Sequence, residues 1–279
     1  MDLTILQFLA APFAASLVLT GIHAYLGVHV VERGVIFVDL SLAQIAALGA
    51  TIATLMPQSG GEFHSPFVYW VSLAFTFVGA AAFSLIRGHK ARIPQEAIIG
   101  ICYAVASAAA ILAMSKATSE SEHLKDMLVG NILAVSWAEV GWTAQLYGAI
   151  GAFHFVFRKK FLAISRSHGQ RDVPGLSVRW WDFLFYSSFG IVVNSSVSIA
   201  GVLLVFCYLI VPSVAAMLYT EHVGRRLAIG WTMGTVVSAA GVFLSLKLDL
   251  PTGATIVCTF GAVLALMAAA RPLVRAVMS

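Results

Sequence analysis

Apolar stretches separated by short loops fill most of the chain: Ile5–Val31, Val35–Met56, Phe67–Ile86, Ala97–Met114, Trp137–Phe157, Trp181–Val193, Ile199–Tyr219, Leu227–Leu246 and Thr252–Ala270. Most approach the roughly 20 residues that a helix needs to cross the hydrocarbon core of a bilayer. No water reaches that core to satisfy backbone N–H and C=O groups, so a chain of this pattern must fold as helices. The expected fold is all-α, a polytopic membrane protein with about eight or nine transmembrane helices. The sixth stretch is short and is expected to be broken or re-entrant. Only 11% of the residues are charged, against roughly 25% in soluble domains. The 279 residues leave room for a single transmembrane domain spanning 1–279 and none for a separate soluble one.

Charge sets the orientation. Arg87, Lys90 and Arg92 follow the third stretch, Arg158, Lys159, Lys160, Arg166 and Arg171 the fifth, Arg225 and Arg226 the seventh, and Arg271 and Arg275 the ninth. Basic loops stay in the cytoplasm. The alternate loops at 58–66 and 116–126 are neutral or acidic and are expected outside, with the amino terminus, which leaves the carboxy terminus cytoplasmic. The net charge of +4 therefore reflects topology and does not indicate a nucleic-acid partner. The first residues, MDLTILQ, lack the basic stretch of a secretory signal, so the first helix is expected to be retained. Cys102, Cys207 and Cys258 are far apart in apolar segments, a spacing that suggests neither a disulfide nor a thiolate metal site.

The second stretch carries Asp39 and Gln44. An ionisable group at that depth is costly and more often serves a substrate path than packing. Entering near Arg33, the helix would place Gln44 about 16 Å deep at ~1.5 Å per residue, near the midplane where transporter sites lie. Asp39 is also an acid near a helix amino terminus, where the dipole favours it. His23 lies within the first stretch and is either a hydrogen-bonded packing residue or a ligand. Asn194, with Ser195, Ser196 and Ser198, forms a polar patch that is either a loop cap or part of a hydrophilic path. Glu62, His64, His123 and Asp126 are candidates for an outer entrance. Pro212 should kink or break the seventh helix, and Gly230 and Gly234 provide small residues for close packing.

The loop at 158–171, RKKFLAISRSHGQR, places Phe161, Leu162 and Ile164 among basic residues and Gly169 near its end. It reads either as a short surface helix that inserts into a soluble partner or as a positive-inside loop with interfacial anchors. There is no G-x-x-x-x-G-K-[ST] phosphate loop, no H-E-x-x-H helix and no G-x-S-x-G elbow. The chain is therefore not expected to be an enzyme or to hydrolyse nucleotide alone.

Several segments in consistent order resemble the permeases of the ABC importers for zinc, manganese and iron: GVHVVERGVIFVDLSLAQIAALG at 27–49, EAIIGICYAVASAAAIL at 96–112, DMLVGNILAVS at 126–136, GVLLVFCYLIVPSVAAMLYT at 201–220 and FLSLKLDLPTGATIV at 243–257. The resemblance implies the transmembrane subunit of an ATP-driven importer of divalent metal ions in a bacterial cytoplasmic (inner) membrane, working by alternating access. It implies a homodimer with a second permease copy, two cytoplasmic ATPase subunits and an external or periplasmic substrate-binding protein. ATP and Mg would be used by the ATPase, and the divalent metal is substrate rather than cofactor. Phe161, Leu162, Ile164 and Gly169 fall where such permeases carry their ATPase-coupling helix.

One departure concerns the cargo. Aligned without gaps on Phe37 and Gly49, the family's His falls on Gln44 and its Asp on Leu40, one step after Asp39. The family pair is four apart, but Asp39 and Gln44 are five apart, about 140° around an ideal helix, unless a π-bulge intervenes. An amide is also a poor zinc ligand. Import of a chelated metal or another small polar solute is the alternative reading; an ATPase-independent channel or intramembrane enzyme ranks below it.

Overall fold

The computed structural model describes residues 3–59, 65–86, 94–115, 132–167 and 173–278. Regular structure among them is helical: α1 (Leu3–Arg33), α2 (Val38–Thr54), α3 (Pro66–Ile86), α4 (Gln95–Met114), α5 (Trp137–Val156), α6 (Arg158–Ser165), α7 (Val178–Met217), α8 (Val223–Leu248) and α9 (Thr252–Met278). Six of these, α1, α3, α4, α7, α8 and α9, are long and apolar enough to cross a membrane. The structure thus supports six spans of the eight or nine expected. Helix α2 has 17 residues, and the apolar character of α5 is diluted by Glu139, Gln145 and His154.

Several hydroxyl-bearing residues inside these helices bond back along the chain, which satisfies them where no water is available. Ser16 donates to Pro12 O, Thr51 to Ala47 O, Thr76 to Ser72 O and Ser213 to Leu209 O. The same device corrects one expectation. Asn194, Ser195 and Ser196 lie inside α7 rather than in a loop, with the hydroxyls of Ser195 and Ser196 satisfied by Ile191 O and Val192 O. The non-helical backbone of α7 is at Gly201 (φ 75°, ψ 161°). The helix continues through Pro212, so of the kink or break expected at the proline the break is not there; the non-helical residue is Gly201.

The chain divides into two compact units. The first comprises Met1–Val31, Asp126–Gly151 and Ser198–Ser279. Its helices pack through small residues: a Cβ on Gly27 would lie 1.9 Å from Leu209 O and 2.4 Å from Ser213 Oγ, and one on Gly234 2.4 Å from Thr20 Cγ2. The expected close packing is therefore present at Gly234, whereas a Cβ on Gly230 would meet Ala24 and Pro212 at ordinary contact distances of 3.4 and 3.5 Å. Trp231 Nε1 donates to Gly21 O at 3.0 Å, and Tyr208 shares a 2.8 Å hydrogen bond with Ser238. Gly27→Ala should cost about 1–3 kcal/mol or more through overpacking. Gly21→Ala, with nothing within 4 Å of the added methyl, should be neutral or stabilising by up to ~1 kcal/mol. Thermal unfolding of the two purified variants checks the pair, and equal stabilities would count against this helix contact.

The second unit comprises Glu32–Lys125 and Ala152–Val197. Helix α2 packs on α3 and α4 with a face of alanines, Ala43, Ala46, Ala47, Ala50 and Ala53, all buried. Where larger residues meet the α2–α3 contact the facing position is glycine, Gly49 against Phe75 and Gly79 against Ile45, and Gly190 of α7 lies likewise against Thr76 of α3. Close approach of backbones replaces the hydrophobic drive that lipid cannot supply.

Candidate functional site

The second unit holds three of the residues singled out for a cation path. Asp39 sits in the first turn of α2 and is buried, at 2% exposure, and its Oδ1 has no hydrogen-bond partner. Burying a polar oxygen unpaired costs about 1–3 kcal/mol. Asp39 carries this cost in an apolar helix, where ionisable groups are rare. Gln44 lies further along α2 and is half-buried. Helix α2 is an unbroken α-helix from Val38 to Thr54, so no π-bulge brings Asp39 and Gln44 onto one face. Their side chains leave the helix about 140° apart.

Asn194, on α7, is joined to α2 through α3. Ser72 Oγ lies 2.9 Å from both Ala46 O and Asn194 Oδ1. One hydroxyl proton serves one acceptor at a time, so both contacts are satisfied together when Ser72 donates to Ala46 O and the Asn194 amide is turned to donate to Ser72. His23 belongs to the first unit. It is fully buried, its Nδ1 donates to Leu19 O at 2.8 Å, its Nε2 has no partner, and the edge of Tyr147 lies 6.2 Å away between ring centres. Among the described residues no three of His, Cys, Asp and Glu come together to hold a metal ion. Glu62, His64, His123, Asp126 and Gly169 lie outside the described residues.

A helix does form in the expected coupling loop, as α6 (Arg158–Ser165). Its orientation modifies the reading. Phe161 and Ile164 are completely buried within the chain, so they anchor the helix and are not available to insert into a partner. Phe161 stacks on His154 at 4.3 Å and meets Trp181 edge-on at 5.4 Å. Arg158, Lys159, Lys160, Ala163 and Arg166 are exposed and Leu162 is half-buried. The exposed side of α6 is therefore largely basic.

Two features escaped the sequence reading. His154 is buried and bonds Ser188 Oγ at 2.8 Å. Arg33 and Asp182 form a buried ion pair that also engages Ser165. The signal available was weak: one basic and one acidic residue, each at the edge of a different apolar stretch.

Comparison with known proteins adds the lineage. The model of the ABC 3 transport family matches residues 5–271. The manganese transport system membrane protein MntC of Listeria innocua is 28% identical over 196 residues, 68% of this chain and 69% of that protein. The chelated iron transport system membrane protein YfeC of Yersinia pestis is 27% identical over 205 residues, 73% and 69% of the respective chains. In fold, the chain is similar to a chain of PsaBC from Streptococcus pneumoniae, with a TM-score of 0.75 and 22% identity, covering 93% of this chain and 90% of that one.

Proposed function

The chain belongs to the ABC 3 transport family, and from that premise we propose that it forms the membrane pathway of an ATP-driven importer of manganese or ferrous iron, working by alternating access. The observation that carries the cation path is Asp39, a buried acid with an unpartnered oxygen in the apolar helix α2. The donors of the proposed path are a carboxylate at Asp39 and amides at Gln44 and Asn194. Oxygen donors suit harder ions such as manganese, whereas zinc prefers imidazole and thiolate. The names of the relatives, manganese and chelated iron transport proteins, support the same choice.

The assembly in this proposal has two copies of the chain, two ATPase subunits on the cytoplasmic side and an external binding protein that delivers the metal. In this proposal the basic loops face the cytoplasm and the amino terminus lies outside. Helix α6 is the element the ATPase engages, through its basic exposed side. The absence of a three-ligand group among the described residues favours one variant, in which the metal travels as a chelate that keeps part of its own coordination shell.

The test is uptake into proteoliposomes that hold the chain with its ATPase and binding protein. ATP-dependent manganese or ferrous-iron uptake should exceed zinc uptake by about tenfold or more, a difference of ~1.4 kcal/mol. Equal zinc uptake would sink the oxygen-donor argument, and uptake by the chain without the ATPase would sink the importer reading. Uptake of the chelate but not the free ion would select the variant.

A further inference from the structure

Arg33, the last residue of α1, is held on several sides at once. Its Nε donates to Ser165 Oγ at 3.0 Å and its Nη1 pairs with Asp182 Oδ1. Its Cζ lies 3.9 Å from the ring centre of Phe185 and 5.7 Å from that of Tyr186. The side chains of Arg33 and Asp182 are 1% and 0% exposed. Ser165 closes α6, and Asp182 and Phe185 lie in the first turns of α7. Directly after Arg33, Gly34 takes a left-handed conformation (φ 67°) and turns the chain into α2, whose second residue is Asp39. The start of α2 is fixed in turn to α4, since Phe37 N donates to Glu96 Oε1 at 3.0 Å.

A buried ion pair is an expensive way to hold helices together, because apolar residues of similar volume often serve stability as well or better. What the guanidinium fork adds is fixed geometry: its donors set direction and distance, where an apolar contact can slide. Phe161 meanwhile locks α6 to His154, Trp181 and Phe185. A displacement of α6 therefore moves Ser165, and Arg33 follows with the turn that begins α2. We infer that Arg33, through Ser165 and Asp182, is the joint that carries movement of α6 to the start of the helix bearing Asp39, and so acts as a positioning residue for transport. This rests on the proposed role of α6 as the element that an ATPase moves.

The experiment uses the full complex in proteoliposomes and reads manganese uptake per ATP hydrolysed, a ratio that a purely structural role would leave unchanged. The paired variant Arg33→Met with Asp182→Leu removes both charges and leaves none buried alone. The paired variant should assemble and lose about tenfold in the ratio. Assembly with a loss of less than about threefold would overturn the joint. If the pair does not assemble, Ser165→Ala replaces it, deleting the hydroxyl that accepts from Arg33; a loss of about threefold or more supports the joint, and a smaller one overturns it. Arg158→Glu with Lys159→Glu, on the exposed side of α6, tests the reading beneath. If ATPase binding and uptake survive that change, α6 is not the docking element and both ideas fall. If docking is lost while the Arg33 pair keeps its ratio, the joint alone fails.

Discussion

Replacing Asp39 with leucine is expected to remove most uptake and, in the same protein, to raise thermal stability. The two effects share one cause. Asp39 is buried at 2% exposure with Oδ1 unpartnered, so the folded chain bears a desolvation cost that leucine, of similar size and without polar atoms, does not. Relief of that cost should stabilise by about 1–3 kcal/mol. For a chain of this size each kcal/mol corresponds to roughly 2–4 °C in Tm, so the rise is several degrees. Loss of the carboxylate from the proposed path should lower manganese uptake by about tenfold or more, at least ~1.4 kcal/mol of cation stabilisation.

The direction of the stability change decides between roles. A residue kept for packing loses stability when it is replaced, as most substitutions do. A residue kept for function at a cost to the fold gains it. A fall in Tm together with lost uptake would make Asp39 a structural acid of the first turn of α2, favoured by the helix dipole. Retained uptake would remove it from the path altogether. Differential scanning of the purified chain and transport assays on the same preparation separate these outcomes.

Apolar runs fixed the helices well, because in a bilayer length and hydropathy are nearly the whole constraint. The stretch Phe67–Ile86 became Pro66–Ile86, and Leu227–Leu246 became Val223–Leu248. The reading failed where polar residues sit within helices. Asn194, Ser195 and Ser196 look like a loop by composition, but the helix continues through them, with the serine hydroxyls satisfied by the preceding turn. The site was legible as single residues rather than as an arrangement. Asp39 and Gln44 announce themselves by polarity, but Ser72, which ties Asn194 to α2, is an ordinary serine in an apolar run. Arg33 and Asp182 are 149 residues apart in sequence, and nothing local marks them as partners. The orientation of α6 was hidden for a related reason: Phe161 and Ile164 are as apolar on an anchoring face as on a docking face. Only the packing of His154, Trp181 and Phe185 around Phe161 shows which face is which.

Gly201→Ala should destabilise the chain by about 1–3 kcal/mol, because the conformation there is nearly closed to residues with a Cβ. The glycine has φ 75° and ψ 161° within a 40-residue helical segment. At 1.5 Å per residue an uninterrupted helix of that length would run ~60 Å, twice the roughly 30 Å of the hydrocarbon core. The break at Gly201 keeps Val178–Met217 from running as one such rod, and its place is set by the residue that tolerates that conformation. Ser195 and Ser196 bond backward within continuing helix, and Pro212 lies within continuing helix as well. Gly201 also lies just past the boundary between the two compact units, at Val197 and Ser198, so the break falls where the chain passes from one unit to the other. Gly151→Ala, in α5 with nothing within 4 Å of the added methyl, is the matched control and should be neutral or stabilising by up to ~1 kcal/mol. Thermal unfolding that ranks Gly201→Ala level with Gly151→Ala would show that the break does not depend on glycine. A deficit confined to Gly201→Ala would show that the sequence places this interruption by a single residue's lack of a side chain.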